Sequence, residues 1–127
     1  MKDFCVIGYD NIDVLVKIGE TLGNSKINIE GLSVSSLGES SVIHFLVDDE
    51  LATLRALKEA NIQVHSVTDV FVYHKDQKQV TGKPGSFGGI CKTLQENNLK
   101  IQFGYPAENN RFVFGVDSIE KAKELLQ

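Results

Sequence analysis

DVLVKIGETLGNSKINI, residues 13–29, and TGKPGSFGGICKTLQENNLKI, residues 81–101, decide the fold once they are placed one under the other. A shift of 72 residues carries Leu15, Ile18 and Leu22 onto Phe87, Ile90 and Leu94. The same shift carries Ile27 and Ile29 onto Leu99 and Ile101, and Thr21 onto Thr93. The first set is spaced i, i+3, i+7, an apolar stripe along a helix. The second set opens an alternating segment, which reads as a strand. Matching elements in matching order point to a duplicated unit.

Outward from these segments the pattern extends in both directions. FCVIGY (4–9) is an apolar run of strand length, followed by a helix over 12–22. INIEGLSV (27–34) and SVIHFLVD (41–48) read as strands joined by the turn LGES (37–40). DDELATLRALKEAN (48–61) reads as a helix, because acidic residues favour a helix start. Leu51, Leu54 and Leu57 form its expected apolar stripe. IQVHSVTDVFVYH (62–74) is a long β-rich run without Gly or Pro. A helix (86–97), a strand (99–105), a turn (107–110), a strand (111–116) and a helix (118–126) follow. The second pass lacks a first and a final strand of its own, so the run 63–74 is expected to close the first sheet and open the second. The expected units are 1–70 and 71–127, each marginal as an isolated core. The fold class is α+β: two βαββαβ units fused side by side, each an antiparallel sheet with helices on one face.

The glycine-rich loop before the second helix raises the question of phosphate. A phosphate-binding P-loop needs Gly-x-x-x-x-Gly-Lys-Ser/Thr, so that amide groups and a lysine cradle the ligand. Gly82-Lys83 is present, but residue 77 is Gln and Lys83 precedes Pro84, which has no N–H to give. No G-x-G-x-x-G follows either. A helix start is still suited to a carboxylate, through its unsatisfied amides and its dipole. Gly85 allows close approach and Ser86 adds a hydroxyl. A plainer reading also accounts for the loop: Pro and Gly simply start the helix. Gly88 and Gly89 would then mark close packing against another backbone, since each costs roughly 1 kcal/mol in a helix interior.

Composition excludes several classes. The 127 residues carry a net charge of -4, with 42% apolar and 24% charged residues. Arg55 and Arg111 are the only arginines and the lysines are scattered, which does not suit nucleic acid. MKDFCVIGYD does not read as a signal peptide, and no apolar run is long enough to span a bilayer. A soluble, cytoplasmic protein is expected. Cys5 and Cys91 read as reduced, buried thiols. His44, His65 and His74 have no Cys or carboxylate cluster to complete a metal site, so no metal is expected. Asp10 and Asp13 flank Asn11, but the loop runs into Val-Leu-Val where a calcium loop needs further oxygens. No cofactor is indicated.

The order of elements resembles a ferredoxin-like unit, and KPGSFGGICKTLQENNLKI resembles the start of an ACT domain. Its Pro-Gly is followed by apolar residues at that family's helix spacing and then by the strand. KINIEGLSV resembles the family's second strand, with its Ile-Asn-Ile core. VTDVFVYH followed by the second helix is similar to stand-alone tandem ACT proteins. The resemblance covers nearly the whole chain. It implies a non-catalytic regulatory protein that binds a small molecule, an amino acid by the family's habit. The ligand would lie between two units, held by the loop before one helix and the second strand of the other unit.

Each unit keeps half of that pattern. Unit 2 has Gly82, Lys83, Pro84, Gly85 and Ser86 in its loop, but Lys100 where unit 1 has Asn28. Unit 1 has Asn28 and Ile29, but Asn11, Ile12 and Asp13 where unit 2 has Lys83, Pro84 and Gly85, so its loop, which starts at Asp10, lacks the Pro-Gly. The resemblance thus implies one complete site, loop 82–86 with Asn28 and Ile29, and one degraded site, Asp10, Asn11 and Ile12 with Lys100. Asn28 offers a donor and an acceptor for an ammonium or an amide. Enzymes exist among ferredoxin-like units, such as acylphosphatases, but neither first loop has the arginine that chemistry would use. A second class of function stays open: a structural interaction module with degenerate sites that dimerises or docks on a metabolic enzyme. A homodimer is expected either way, since open outer sheet edges favour covering.

Overall fold

The computed structural model describes residues 1–9 and 11–127, with the backbone alone at Asn11. Two compact units divide the chain, Met1–Thr68 and Asp69–Gln127. Unit 1 runs β1 (Lys2–Gly8), α1 (Asn11–Asn24), β2 (Gly31–Leu37), β3 (Ser40–Val47), α2 (Glu50–Glu59) and β4 (Ser66–Asp69). Its strand order is β4-β1-β3-β2, the ferredoxin-like order. Unit 2 runs β5 (Phe71–His74), α3 (Ser86–Glu96), β6 (Ile101–Ala107), β7 (Arg111–Val116) and α4 (Ile119–Leu126), with strand order β6-β7-β5. The β-rich run 62–74 supplies a strand to each unit, β4 to the first and β5 to the second. It does so as two short strands broken at Val70.

Each unit buries one face of its sheet under its two helices. In unit 1, Phe4, Val6, Ile43, Phe45 and Val47 point to Ile18 and Leu22 of α1 and to Ala56 and Leu57 of α2. In unit 2, Phe71, Tyr73, Phe114 and Val116 pack with Leu94 of α3 and Ala122 of α4. Alternation along the strands assigns these faces, since successive side chains point to opposite sides. On the other face of unit 2, the Phe103 ring lies over Gly115, its cross-strand partner, in the space a Cβ would fill.

The duplication is visible in how the helices end. Ile27 N–H donates to Leu22 O after Lys26 at φ 58°, and Leu99 N–H donates to Leu94 O after Asn98 at φ 61°. These equivalent positions close α1 and α3 with a left-handed residue that satisfies an orphan carbonyl. This closure also moves the strands. Asn28 and Ile29 precede β2, which begins at Gly31 rather than at residue 27, and Lys100 precedes β6.

The apolar stripe expected on α2 needs correction. Leu51 is 73% exposed, and the buried face carries Thr53, Ala56 and Leu57. Steps of three residues drift by about 60° each on a 3.6-residue helix, so Leu51 lies about 120° round from Leu57. The start was read correctly: Asp49 caps α2, accepting the Ala52 N–H at 3.0 Å. Ser118 caps α4 in the same way, accepting the Lys121 N–H at 3.3 Å.

Candidate functional site

The segment between β5 and α3 is a chain of tight turns. Val80 N–H donates to Lys75 O, Lys83 N–H to Val80 O, and Ser86 N–H to Lys83 O, at 3.3, 3.1 and 3.2 Å. Gly82 and Gly85 sit at φ 72° and 84°, left-handed positions that glycine occupies without penalty. The loop spends two of its amides on itself and Pro84 has none, which agrees with the reading against a phosphate cradle. α3 then begins at Ser86 with Gly85 as N-cap and no side-chain cap. After the Ser86 N–H, which donates to Lys83 O, the Gly89 N–H makes the first i→i−4 bond, to Gly85 O. The amides of Phe87 and Gly88 therefore lie in the first turn without an intrahelical acceptor.

A polar brace that sequence reading missed holds this loop in place. Asn110 Nδ2 donates to Thr81 Oγ1 at 2.6 Å and also to Asp76 Oδ1. Thr81 Oγ1 donates to the same Asp76 oxygen at 3.2 Å, and Lys75 N–H donates to Asn110 O at 3.1 Å. Asn110 lies in the β6–β7 turn at φ 57°, a conformation asparagine tolerates. The loop is exposed but tied at both ends. The sequence signal was only an Asp and a Thr five residues apart, with a partner 29 residues on.

Behind the loop lies a cavity of about 300 Å³, formed within unit 2. Its walls are mainly apolar: Tyr73 from β5, Phe87 and Ile90 from α3, and Phe112 and Phe114 from β7. Phe112 and Phe114 have ring centroids 4.7 Å apart, and Phe87 lies 5.3 Å from Phe112. Lys75, Thr81, Gly82 and Ser86 supply the polar part of the lining. Two of the five expected loop residues, Gly82 and Ser86, thus belong to the cavity wall. Lys83, Pro84 and Gly85 are exposed beside it.

The remaining expected site residues lie elsewhere. Asn28 is exposed in unit 1 and donates through Nδ2 to Glu30; Ile29 packs against the unit 1 core. Lys100 is exposed in unit 2, and its N–H donates to Asp117 Oδ1 at 3.0 Å. Ile12 is exposed on the first turn of α1. Asp10 lies outside the described residues, as does the side chain of Asn11.

Gly88 and Gly89 correct an expectation. Among the described residues, a Cβ built on either would meet nothing within 4 Å. Close packing is therefore not what calls for them. Gly88→Ala and Gly89→Ala are each expected to stabilise the chain by up to about 1 kcal/mol. Urea denaturation checks this, and an unchanged or lower midpoint would contradict it.

Other chemistry is sparse. Among the described residues, no group of three or more His, Cys, Asp or Glu could hold a metal. No helix among them is long and apolar enough to cross a membrane. Cys5 is buried, whereas Cys91 is half-buried, not buried as expected, because it sits at the side of α3. Burial pushes the Cys5 thiol up from its ordinary 9.0, Asp3 adds to the rise, and a hydrogen bond from Ser66 opposes it. Burial likewise raises the Tyr73 phenol above its ordinary 10.0. Both acids keep their protons in the folded chain after the unfolded chain has released them. Their contribution is whole below the unfolded values and is lost as pH rises through the folded ones. The urea midpoint is expected to fall as pH rises above about 9, and Cys5→Ala to remove the earlier part of that fall. A midpoint unchanged up to about pH 11 would refute this.

No family model and no curated protein matches the chain. Solved structures do match. Protein BT0572 from Bacteroides thetaiotaomicron superposes with a TM-score of 0.78 at 22% identity, over 98% of this chain and 85% of that one. The ligand-free regulatory subunit of aspartate kinase from Thermus thermophilus gives 0.72 at 16% identity, over 98% and 87%. A structure of aspartokinase alpha and beta subunits gives 0.67 at 18% identity, over 98% and 88%. At these identities the likeness shows the fold. That fold is the one expected from the sequence, two ferredoxin-like units.

Proposed function

We propose that this protein is a non-catalytic regulatory module that binds an amino acid at the loop 82–86. The observation that carries the reading is the uncapped start of α3, with Gly85 left-handed, beside a cavity of about 300 Å³. That start offers amides and a helix dipole to a carboxylate. The likeness to a regulatory subunit of aspartate kinase supports a regulatory role over a catalytic one. Gly82, Lys83, Pro84, Gly85 and Ser86 are the proposed carboxylate side of the site. Asn28 and Ile29 are proposed to complete it, on the strength of the sequence resemblance. Asp10, Asn11, Ile12 and Lys100 would form a degraded second site, so calorimetry should give one ligand per chain. Two equivalent sites would overturn that count. The reading includes a homodimer whose self-association or docking on a metabolic enzyme responds to the ligand. Sedimentation at equal protein concentration, with and without ligand, tests that part.

A thermal-shift panel of the twenty amino acids tests the central claim. A ligand at 100 times its dissociation constant should stabilise the folded chain by about 2.7 kcal/mol. For a unit of this size that amounts to a melting shift of about ten degrees or more. No shift with any amino acid would remove the reading.

A further inference from the structure

The walls of the unit 2 cavity carry information about the ligand beyond its carboxylate. Tyr73, Phe87 and Phe112 give it aromatic walls backed by the fully buried Phe114, and Val80 and Ile90 add aliphatic surface. Among the described residues of its lining Lys75 is the one charged side chain, and Thr81 and Ser86 supply aliphatic hydroxyls. Among the described residues no carboxylate lines the cavity; Asp76 is engaged by Thr81 and Asn110 in the brace beside it.

These facts discriminate among side chains. A lysine-like side chain would place a second cation near Lys75 with no counter-charge, and a buried unpaired charge is costly. A carboxylate or short hydroxyl side chain would leave water for walls that are mostly hydrocarbon, with few donors in return. An aromatic ring would meet walls that are themselves aromatic, and it buries the largest apolar area per side chain. A volume of about 300 Å³ lies at the lower end of the range for small-molecule sites, which suits one ring rather than a nucleotide. The rim is open: Phe87 is 51% exposed, and Gly82 and Thr81 are exposed as well.

We infer that the cavity enclosed by Tyr73, Phe87, Ile90, Phe112 and Phe114 receives the side chain of an aromatic amino acid. This rests on the reading of loop 82–86 as the carboxylate side of an amino-acid site, and it adds the class of side chain. Unit 2 alone then sets ligand selectivity.

Calorimetric titration of the full chain with L-phenylalanine, L-tyrosine, L-lysine, L-threonine and L-aspartate tests it. Methyl NMR of Ile90 and Val80 is recorded with each ligand. L-phenylalanine or L-tyrosine is expected to bind at least tenfold more tightly than the three polar amino acids. It should shift the Ile90 and Val80 methyl signals through its ring current. Phe87→Ala, at a half-exposed position that the fold can spare, should weaken that binding about tenfold. Tighter binding of lysine, threonine or aspartate would overturn the inference while leaving the amino-acid reading in place. The same holds if phenylalanine binds with both methyl groups unmoved and with Phe87→Ala without effect. No binding by any of the twenty amino acids would remove the reading itself and this inference with it.

Discussion

Phe114→Ala is expected to cost about 3–5 kcal/mol, the range for truncating a buried phenylalanine. Phe114 is 0% exposed at the centre of β7, opposite Phe71 on one neighbouring strand and Gly104 on the other. Its ring lies 4.7 Å from Phe112, 6.3 Å from Phe87 and 6.4 Å from Phe71. Truncation therefore removes transfer energy, three ring contacts and one wall of the cavity. The surrounding rings belong to different elements, so they cannot close the void together. A unit of roughly 60 residues has little stability to spare. The expected result is loss of the cooperative transition of unit 2 in urea, followed by amide exchange across β5, β6 and β7. Phe114→Leu should cost far less, because most of the apolar volume is kept. A loss under about 1 kcal/mol for Phe114→Ala would mean that the aromatic cluster does not hold the unit together.

The order of elements in both units was legible in the sequence. The stripes Leu15-Ile18-Leu22 and Phe87-Ile90-Leu94 carried it, since period 3.6 and period 2 are local signals. The acidic start of α2 and the turn 107–110 before β7 were legible for the same reason. Three things were not. The stripe on α2 was misjudged, because i, i+3, i+6 spacing drifts around the helix and Leu51 ended in solvent. The start of β2 was set too early, because the chain spends Ile27 in closing α1 before it can pair. Gly88 and Gly89 suggested packing, yet open space surrounds them. The candidate site divides in the same way. Gly82 and Ser86 could be picked from the Pro-Gly motif, but the aromatic walls come from β5 and β7. Tyr73 and Phe112 read in sequence as ordinary strand residues. Only the strand pairing places Tyr73 opposite Phe112, beside the helix that carries Phe87.

The second large effect concerns a buried carboxylate–imidazole hydrogen bond that strand register creates. Asp3 lies opposite Leu46, and His44 lies opposite Cys5, so Asp3 and His44 are diagonal neighbours on one face. His44 Nδ1–H donates to Asp3 Oδ2 at 2.8 Å, and Asp3 is 0% exposed. Removing the imidazole leaves the carboxylate equally buried with one partner fewer. His44→Leu is therefore expected to cost about 1–3 kcal/mol, the range for taking a hydrogen-bond partner from a buried polar group. The double change Asp3→Leu with His44→Leu should return most of that loss, since an apolar pair of similar volume needs no desolvation to be compensated. The two changes are thus non-additive, and the sign identifies the cause. If the double variant proves as unstable as His44→Leu alone, the loss comes from altered packing on β3. If it recovers to within about 1 kcal/mol of the parent, the cost lies in the stranded carboxylate.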